Sequence, residues 1–172
     1  MRAVIVLPTY NERENIGPYL RAVRAIPLDD GDVLDVLIVD DSSPDGTAEV
    51  ARQIAAELDG SPDATAGTTE VIVRPGKQGL GSAYRHGFET VLDRQTYAVV
   101  ISMDADLSHD PAVIPDMLGA LADGADAVIG SRYVRGGGTT DWPIHRQLLS
   151  KWGNAYTRFA LHLDTHDCTS GF

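Results

Sequence analysis

Two aspartates one residue apart, Asp104 and Asp106, follow an apolar run from Tyr97 to Met103. Carboxylates at that spacing in a loop can share one hard cation, Mg²⁺ or Mn²⁺, whose shell is completed by water and phosphate oxygens. A cation held there would offset the repulsion between the carboxylates and a diphosphate. It would also stabilise a phosphate leaving group as charge develops on it. Asp-x-Asp occurs in plain solvated turns as well, and the apolar strand before it is what favours a built site. Three other short runs have a similar character. Pro8-Thr9-Tyr10-Asn11-Glu12 offers an aromatic that can pack on a base and a carboxylate that can accept hydrogen bonds. Glu12 equally suits the first turn of a helix. Asp40 and Asp41 can read a base or a ribose, while Ser43 or Asp45 can cap the helix that begins near Gly46. Arg132, in Ser131-Arg132-Tyr133, can face phosphate or a carboxylate; the plainer alternative is a surface salt bridge of little energetic weight.

The elements that must position these residues follow from hydropathy. Apolar runs at 3–7, 33–39, 70–74, 97–103 and 126–130 read as strands. The run 97–103 is apolar at nearly every position, which predicts a strand in the middle of a sheet covered on both faces. Helical patterns cover 12–25, 46–58, 81–92, 111–122 and 144–163, the fourth opening on Pro111. The segment 60–69 reads as an exposed loop and 134–142, with its three glycines, as another. Strand–helix alternation predicts an α/β architecture with a mainly parallel central sheet flanked by helices. Ligands of such sheets bind beyond the carboxyl ends of the strands, where all four motifs fall.

Composition narrows the function classes. A chain of 172 residues suits one domain and buries roughly 70% of the surface its unfolded form exposes. The net charge of −11 argues against a nucleic-acid partner. It also means that an anionic substrate needs a cation or a focused basic group. Cys168 is the only cysteine, so a reducing, cytoplasmic setting is expected. No signal-peptide pattern opens the chain, and no apolar stretch reaches the ~20 residues of a membrane span. Gly79-Leu80-Gly81 hints at a dinucleotide fingerprint, but position 84 is Tyr rather than Gly. His162, His166 and Cys168 form a weak zinc pattern, and no serine-hydrolase elbow occurs.

Taken together, the motifs resemble a family. Leu7-Pro8-Thr9-Tyr10-Asn11-Glu12, Val39-Asp40-Asp41-Ser42-Ser43-Pro44-Asp45-Gly46, Gly79-Leu80-Gly81-Ser82-Ala83-Tyr84, Met103-Asp104-Ala105-Asp106-Leu107-Ser108-His109, Gly130-Ser131-Arg132-Tyr133 and Thr169-Ser170-Gly171-Phe172 stand in the same order as in the polyprenol-phosphate (dolichol-phosphate) mannosyltransferases, inverting enzymes of glycosyltransferase family 2. The resemblance implies a GT-A, Rossmann-like nucleotide-sugar-binding fold. It implies transfer of mannose from a GDP-mannose donor to a polyprenyl phosphate acceptor, with peripheral contact at the cytoplasmic face of a membrane. Carried over residue by residue, it places Pro8, Tyr10, Glu12, Val39 and Asp41 around the nucleotide. Asp104, Ala105 and Asp106 would hold the metal and diphosphate, and Arg132 would face the donor and acceptor phosphates. The catalytic set is then Asp104, Asp106 and Arg132. Ser108 stands where some relatives carry a Gln ligand. The family's chain continues past Thr-Ser-Gly-Phe, so the expectation is one catalytic domain over 1–172 without its C-terminal part, and with weak donor binding and slow turnover. Two alternatives stay open: another nucleotide sugar such as UDP-glucose, and a catalytically silent nucleotide-binding domain.

Overall fold

The computed structural model describes residues 1–61, 64–133, 144–161, 167 and 170–172. The chain divides into two compact units, Met1–Pro115 and Asp116–Phe172, where the sequence suggests one domain with no linker. The first unit alternates β1 (Arg2–Thr9), α1 (Arg13–Arg24), β2 (Val33–Asp40), α2 (Thr47–Leu58), β3 (Thr69–Val73), α3 (Leu80–Arg94) and β4 (Val99–Ser102). A 3₁₀ turn at Pro111–Val113 leads into α4 (Ile114–Ala122), and α5 spans Ile144–Leu161.

All strand pairs are parallel and the sheet order is β3-β2-β1-β4. The helices serve as the crossovers that parallel strands require. β1 and β2 bury side chains on both faces, as their unbroken Val, Ile and Leu runs demand. On one face Val4, Val6, Leu37 and Val39 pack with Ala83 and Val91 of α3. The helix comes close because Gly87 has no side chain: a Cβ there would lie 2.4 Å from Val6 Cγ1. Any larger residue would push α3 off the sheet.

Register brings the strand ends level. Pro8 pairs with Val39, Thr9 with Asp40, and Asp40 with Val73. Ser102 pairs with Val6, so Asp104 emerges beside the end of β1.

Two expectations are corrected. The run 97–103 forms a four-residue strand at an edge of the described sheet, not its middle, and Val100 is exposed. β1 and β2, whose apolar runs are as continuous, occupy the centre instead. Residues 126–130 form no strand. Gly130 bonds to the end of the chain: its amide donates to Phe172 O at 2.9 Å, and the Ser170 hydroxyl donates to its carbonyl. The glycine-rich loop 134–142, and His162, His166 and Cys168 of the zinc pattern, lie outside the described residues.

Candidate active site

The loops after β1, β2 and β4 surround one cleft of roughly 290 Å³ in the first unit. Pro8, Tyr10, Glu12 and Asp41 line it, and so do Asp104, Ala105 and Asp106. Seven of the nine predicted site residues therefore meet at one place. Local chemistry explains how each loop leaves its strand.

After β1 the chain turns through Asn11, whose φ of 62° is a left-handed value that Asn tolerates better than most residues. The Asn11 amide then donates to Ser43 Oγ and the Glu12 amide to Thr47 Oγ1. The Glu12 carboxylate accepts from Asn15 Nδ2 at 2.8 Å. Asp45 joins the starts of two helices: it accepts from the Thr47 amide and hydroxyl, and from the Arg13 amide. The capping role expected near Gly46 thus falls to Asp45, and it serves α1 as well as α2.

The two neighbouring aspartates after β2 do different work. Asp40 is fully buried and does not line the cleft. Its oxygens accept from Thr9 Oγ1, Ser43 Oγ and the Ser43 amide, which closes the turn. Asp41 lines the cleft, but its carboxylate is already engaged. Oδ1 takes Arg74 Nε at 2.7 Å and Nη2 at 2.5 Å, and Oδ2 takes the amides of Gln78 and Gly79 at 2.9 and 3.3 Å. Asp41 thereby holds loop 75–79 against the cleft.

Val39 is the exception in the nucleotide set. Its side chain is fully buried in the core cluster with Val6 and Leu37 and is not part of the cleft lining. Side chains alternate along a strand, and this position faces α3.

At the end of β4, Asp104 is half-buried and Asp106 exposed. Asp106 Oδ1 accepts from the Ser108 amide at 2.9 Å, a tight turn that leaves Leu107 at a φ of 59°. Burial pushes the Asp106 carboxyl up, but the Ser108 hydroxyl and amide and nearby His109 outweigh it and hold it below the usual carboxylate value. Asp106 is therefore ionised at neutral pH, as a metal ligand must be. The Asp104 amide donates to His109 Nδ1 at 3.3 Å. The Tyr84 hydroxyl lies 3.1 Å from Asp104 Oδ1 and 2.9 Å from Met103 O. Burial, with the negative charge of Asp104, raises the Tyr84 phenol well above its ordinary value, so it stays a donor.

Among the described residues no group of three or more His, Cys, Asp or Glu gathers at one point. The carboxylate oxygens of Asp104 and Asp106 are hard donors of the kind Mg²⁺ or Mn²⁺ takes.

Arg132 belongs to the second unit. Its Nε and Nη2 fork onto Asp167 at 2.8 and 2.7 Å, and its amide also donates to Asp167 at 3.1 Å. The Asp167 hydrogen bond raises the Arg132 pKa further, so the guanidinium is always charged.

Sequence reasoning missed three contributors. Among the described residues Lys77 is the only Lys, Arg or His lining the cleft, and its ammonium sits 3.9 Å from the centroid of the Tyr10 ring. Arg74 and Tyr84 act through Asp41 and Asp104. Lys77 lies two residues before the glycine motif, which was the one available signal.

Comparison with known proteins gives consistent matches. The model of the family described as glycosyl transferase family 2 matches residues 4–172. Polyprenol monophosphomannose synthase of Mycolicibacterium smegmatis is 43% identical over 99% of this chain and 60% of its own length. Undecaprenyl-phosphate mannosyltransferase of Micrococcus luteus is also 43% identical, over 100% of this chain and 65% of its own. Dolichol-phosphate mannosyltransferase of Pyrococcus furiosus is 38% identical over 100% of this chain and 45% of its own. The chain thus spans less than two thirds of the length of these relatives. Among solved structures, the mannosyltransferase PcManGT from Pyrobaculum calidifontis, in complex with GDP-Man and Mn²⁺, superposes with a TM-score of 0.52 at 29% identity, covering 72% of this chain and 32% of that one. TarS of S. aureus shares the fold, with a TM-score of 0.56 at 16% identity over 78% of this chain and 40% of its own.

Proposed function

The chain belongs to glycosyltransferase family 2 and has the family's GT-A fold, and from that premise we propose that it transfers mannose from GDP-mannose to a polyprenyl phosphate with inversion. The observation that carries this reading is the meeting of Tyr10, Glu12, Asp104 and Asp106 in one cleft at the ends of parallel strands. We take residues 1–172 as one catalytic domain, since the family match runs through both units.

In this reading the base packs on Tyr10, with Pro8 and Glu12 beside it. Asp104 and Asp106 hold Mg²⁺ or Mn²⁺, and Ala105 lies between them on the diphosphate. Such a cation, when bound, neutralises the diphosphate and supports its departure. Ala105 is buried, 3% exposed, and lines the cleft between the two carboxylates. Asp41 serves the pocket by holding loop 75–79. Val39 supports the floor from the core side. Arg132, oriented by Asp167, is the residue that the family resemblance assigns to the donor and acceptor phosphates. No general base is required: an acceptor phosphate monoester has its second pKa near ~6 and is largely dianionic at pH 7. The chain need only align nucleophile and leaving group.

The experiment is titration calorimetry with GDP, UDP and GDP-mannose, with and without Mg²⁺ or Mn²⁺, followed by transfer of labelled mannose to a short polyprenyl phosphate. Metal-dependent preference for GDP, with transfer, is expected. Metal-independent preference for UDP would overturn the donor assignment, and binding without transfer would favour a silent nucleotide-binding domain.

We also propose peripheral attachment at the cytoplasmic face of a membrane. Among the described residues no helix is long and apolar enough to cross one. α5 supports attachment in a way its sequence hides. Asn154 is buried and donates to Asp167, and Ser150 is half-buried against Tyr133. Ser150 and Asn154 of α5 thus turn inward. Leu149, Trp152, Tyr156 and Phe159 are between 72% and 83% exposed. At 3.6 residues per turn they fall within an arc of about 80°. The α5 sequence contains three Arg or Lys and no Asp or Glu, in a chain of net charge −11. An aromatic face on a basic helix suits the interface of an anionic bilayer. The paired substitution W152E/F159E is expected to cut co-sedimentation with phosphatidylglycerol vesicles at least ~10-fold, because each ring buried in lipid contributes roughly 1.5–3 kcal/mol. Unchanged co-sedimentation would rule this face out.

A further inference from the structure

We propose that Tyr84 is a positioning residue for the cation site, its hydroxyl fixing the Asp104 carboxylate in the orientation that receives the metal. The inference rests on the assignment of Asp104 as a metal ligand.

Two independent constraints meet at Tyr84. Its ring is set by the core: it stacks on Phe88 one turn further along α3, with centroids 5.6 Å apart and 26° between the planes. Both rings pack against the cluster that contains Val4, Val6, Leu37 and Val39. Its hydroxyl is set by the end of β4, 2.9 Å from Met103 O and 3.1 Å from Asp104 Oδ1. The phenol has one proton and two acceptors, so the strand end and the carboxylate are tied to the same atom.

Asp104 needs such a partner more than Asp106 does. Asp106 is anchored locally by the Ser108 amide two residues away. Among the described residues, Tyr84 is the only group seen to hydrogen-bond the Asp104 carboxylate. That carboxylate follows an edge strand, which has a single neighbour in the described sheet. Without the phenol it would rotate freely and lose that freedom on taking a cation, which opposes binding. With it, one oxygen is occupied and the other is held in a defined direction. Partners of this kind typically change metal affinity 10–100-fold. Leu80 and Ala83, on the same first turns of α3, line the cleft itself, so α3 contributes both to the wall and to the alignment of its acidic end.

The test is Mn²⁺ binding, read from the electron paramagnetic resonance signal of free Mn²⁺, with the chain held at saturating GDP. Wild type, Y84F and D104N are compared, and GDP binding in EDTA is measured for each by calorimetry. Y84F removes one oxygen and keeps the stacked ring. It is expected to weaken Mn²⁺ binding about 10-fold, while GDP affinity in EDTA and the melting temperature stay close to wild type. F88L serves as the packing control: it is expected to lower the melting temperature and leave Mn²⁺ affinity within about twofold, since it spares the hydroxyl. If wild type binds no Mn²⁺ with GDP, the metal-site assignment fails and this inference fails with it. If wild type binds and Y84F binds equally well, the inference alone is overturned. It is also overturned if Y84F loses GDP binding in EDTA and melting temperature together, because Tyr84 would then act only through packing.

Discussion

Asp104→Asn and Asp106→Asn are each expected to lower kcat/KM for the proposed mannose transfer by on the order of 10²–10³, the loss typical when a group that stabilises developing charge is removed. The structure makes the substitution clean. Asn at position 106 can still accept the Ser108 amide through its side-chain oxygen, so the turn at Leu107 survives. Asn at 104 can still accept from Tyr84. The measurement that separates a metal role from simple loss of charge is GDP affinity in two buffers. With Mg²⁺ or Mn²⁺ present, both variants bind GDP more weakly than wild type. In EDTA they are expected to bind it at least as well, because each removes a negative charge from the cleft proposed to take the diphosphate. A variant that is weaker in both buffers by the same factor would show that these carboxylates contact the nucleotide directly, and the cation reading would fall.

The second large effect is on stability. Arg74→Met leaves Asp41 without its counter-ion in a site where both side chains are only 5% exposed. Breaking one half of a buried pair costs about 3–5 kcal/mol, which for a chain of this size lowers Tm by on the order of 10 °C. The double variant D41L/R74M recovers much of that loss, since apolar side chains of similar size tolerate a buried site. It does not recover nucleotide binding, because the amides of Gln78 and Gly79 lose the acceptor that folds loop 75–79 toward the cleft. Thermal melting and GDP calorimetry on the same samples decide the point: an R74M variant that melts with wild type would mean the pair contributes nothing.

These two predictions draw on different kinds of legibility. Asp104 and Asp106 are adjacent in sequence and follow an apolar run, so their pairing could be read directly. The Asp41–Arg74 pair joins residues 33 apart. It exists because β2 and β3 are parallel neighbours whose register sets Asp40 against Val73 and so aligns the residues that follow. Nothing in the spacing of the two residues announces it. The same holds for Tyr84, which reaches Asp104 across 20 positions.

Periodicity placed most elements within a few residues, because backbone preference and side-chain alternation are local properties. It misjudged features that depend on neighbours. The run 97–103 looks central by hydropathy, yet strand order is set by crossover connections, and β4 lies at an edge of the described sheet. The run 126–130 has the composition of a strand, but Gly130 pairs its backbone with Phe172. Asp40 and Asp41 are the same residue type side by side. The alternation of the strand sends one into a closed turn with Thr9 and Ser43 and the other to the cleft. Val39 belongs by motif to the nucleotide set; it lies inside β2, where its side chain packs in the core against α3.

By itself the sequence determined the α/β alternation, the strand ends as the place of chemistry, and the acidic pair Asp104 and Asp106, since each depends on residues close together in the chain. Only the tertiary structure decided which charges are spent inside the protein and which face the cleft. It assigned Asp40 to a turn, Asp41 to Arg74 and loop 75–79, and Tyr84 to Asp104. It turned Asn154 of α5 inward and left Trp152 and Phe159 outside. The reason is physical: a hydrogen bond is satisfied by whichever partner packing brings within about 3 Å, and packing joins residues that the linear order keeps far apart.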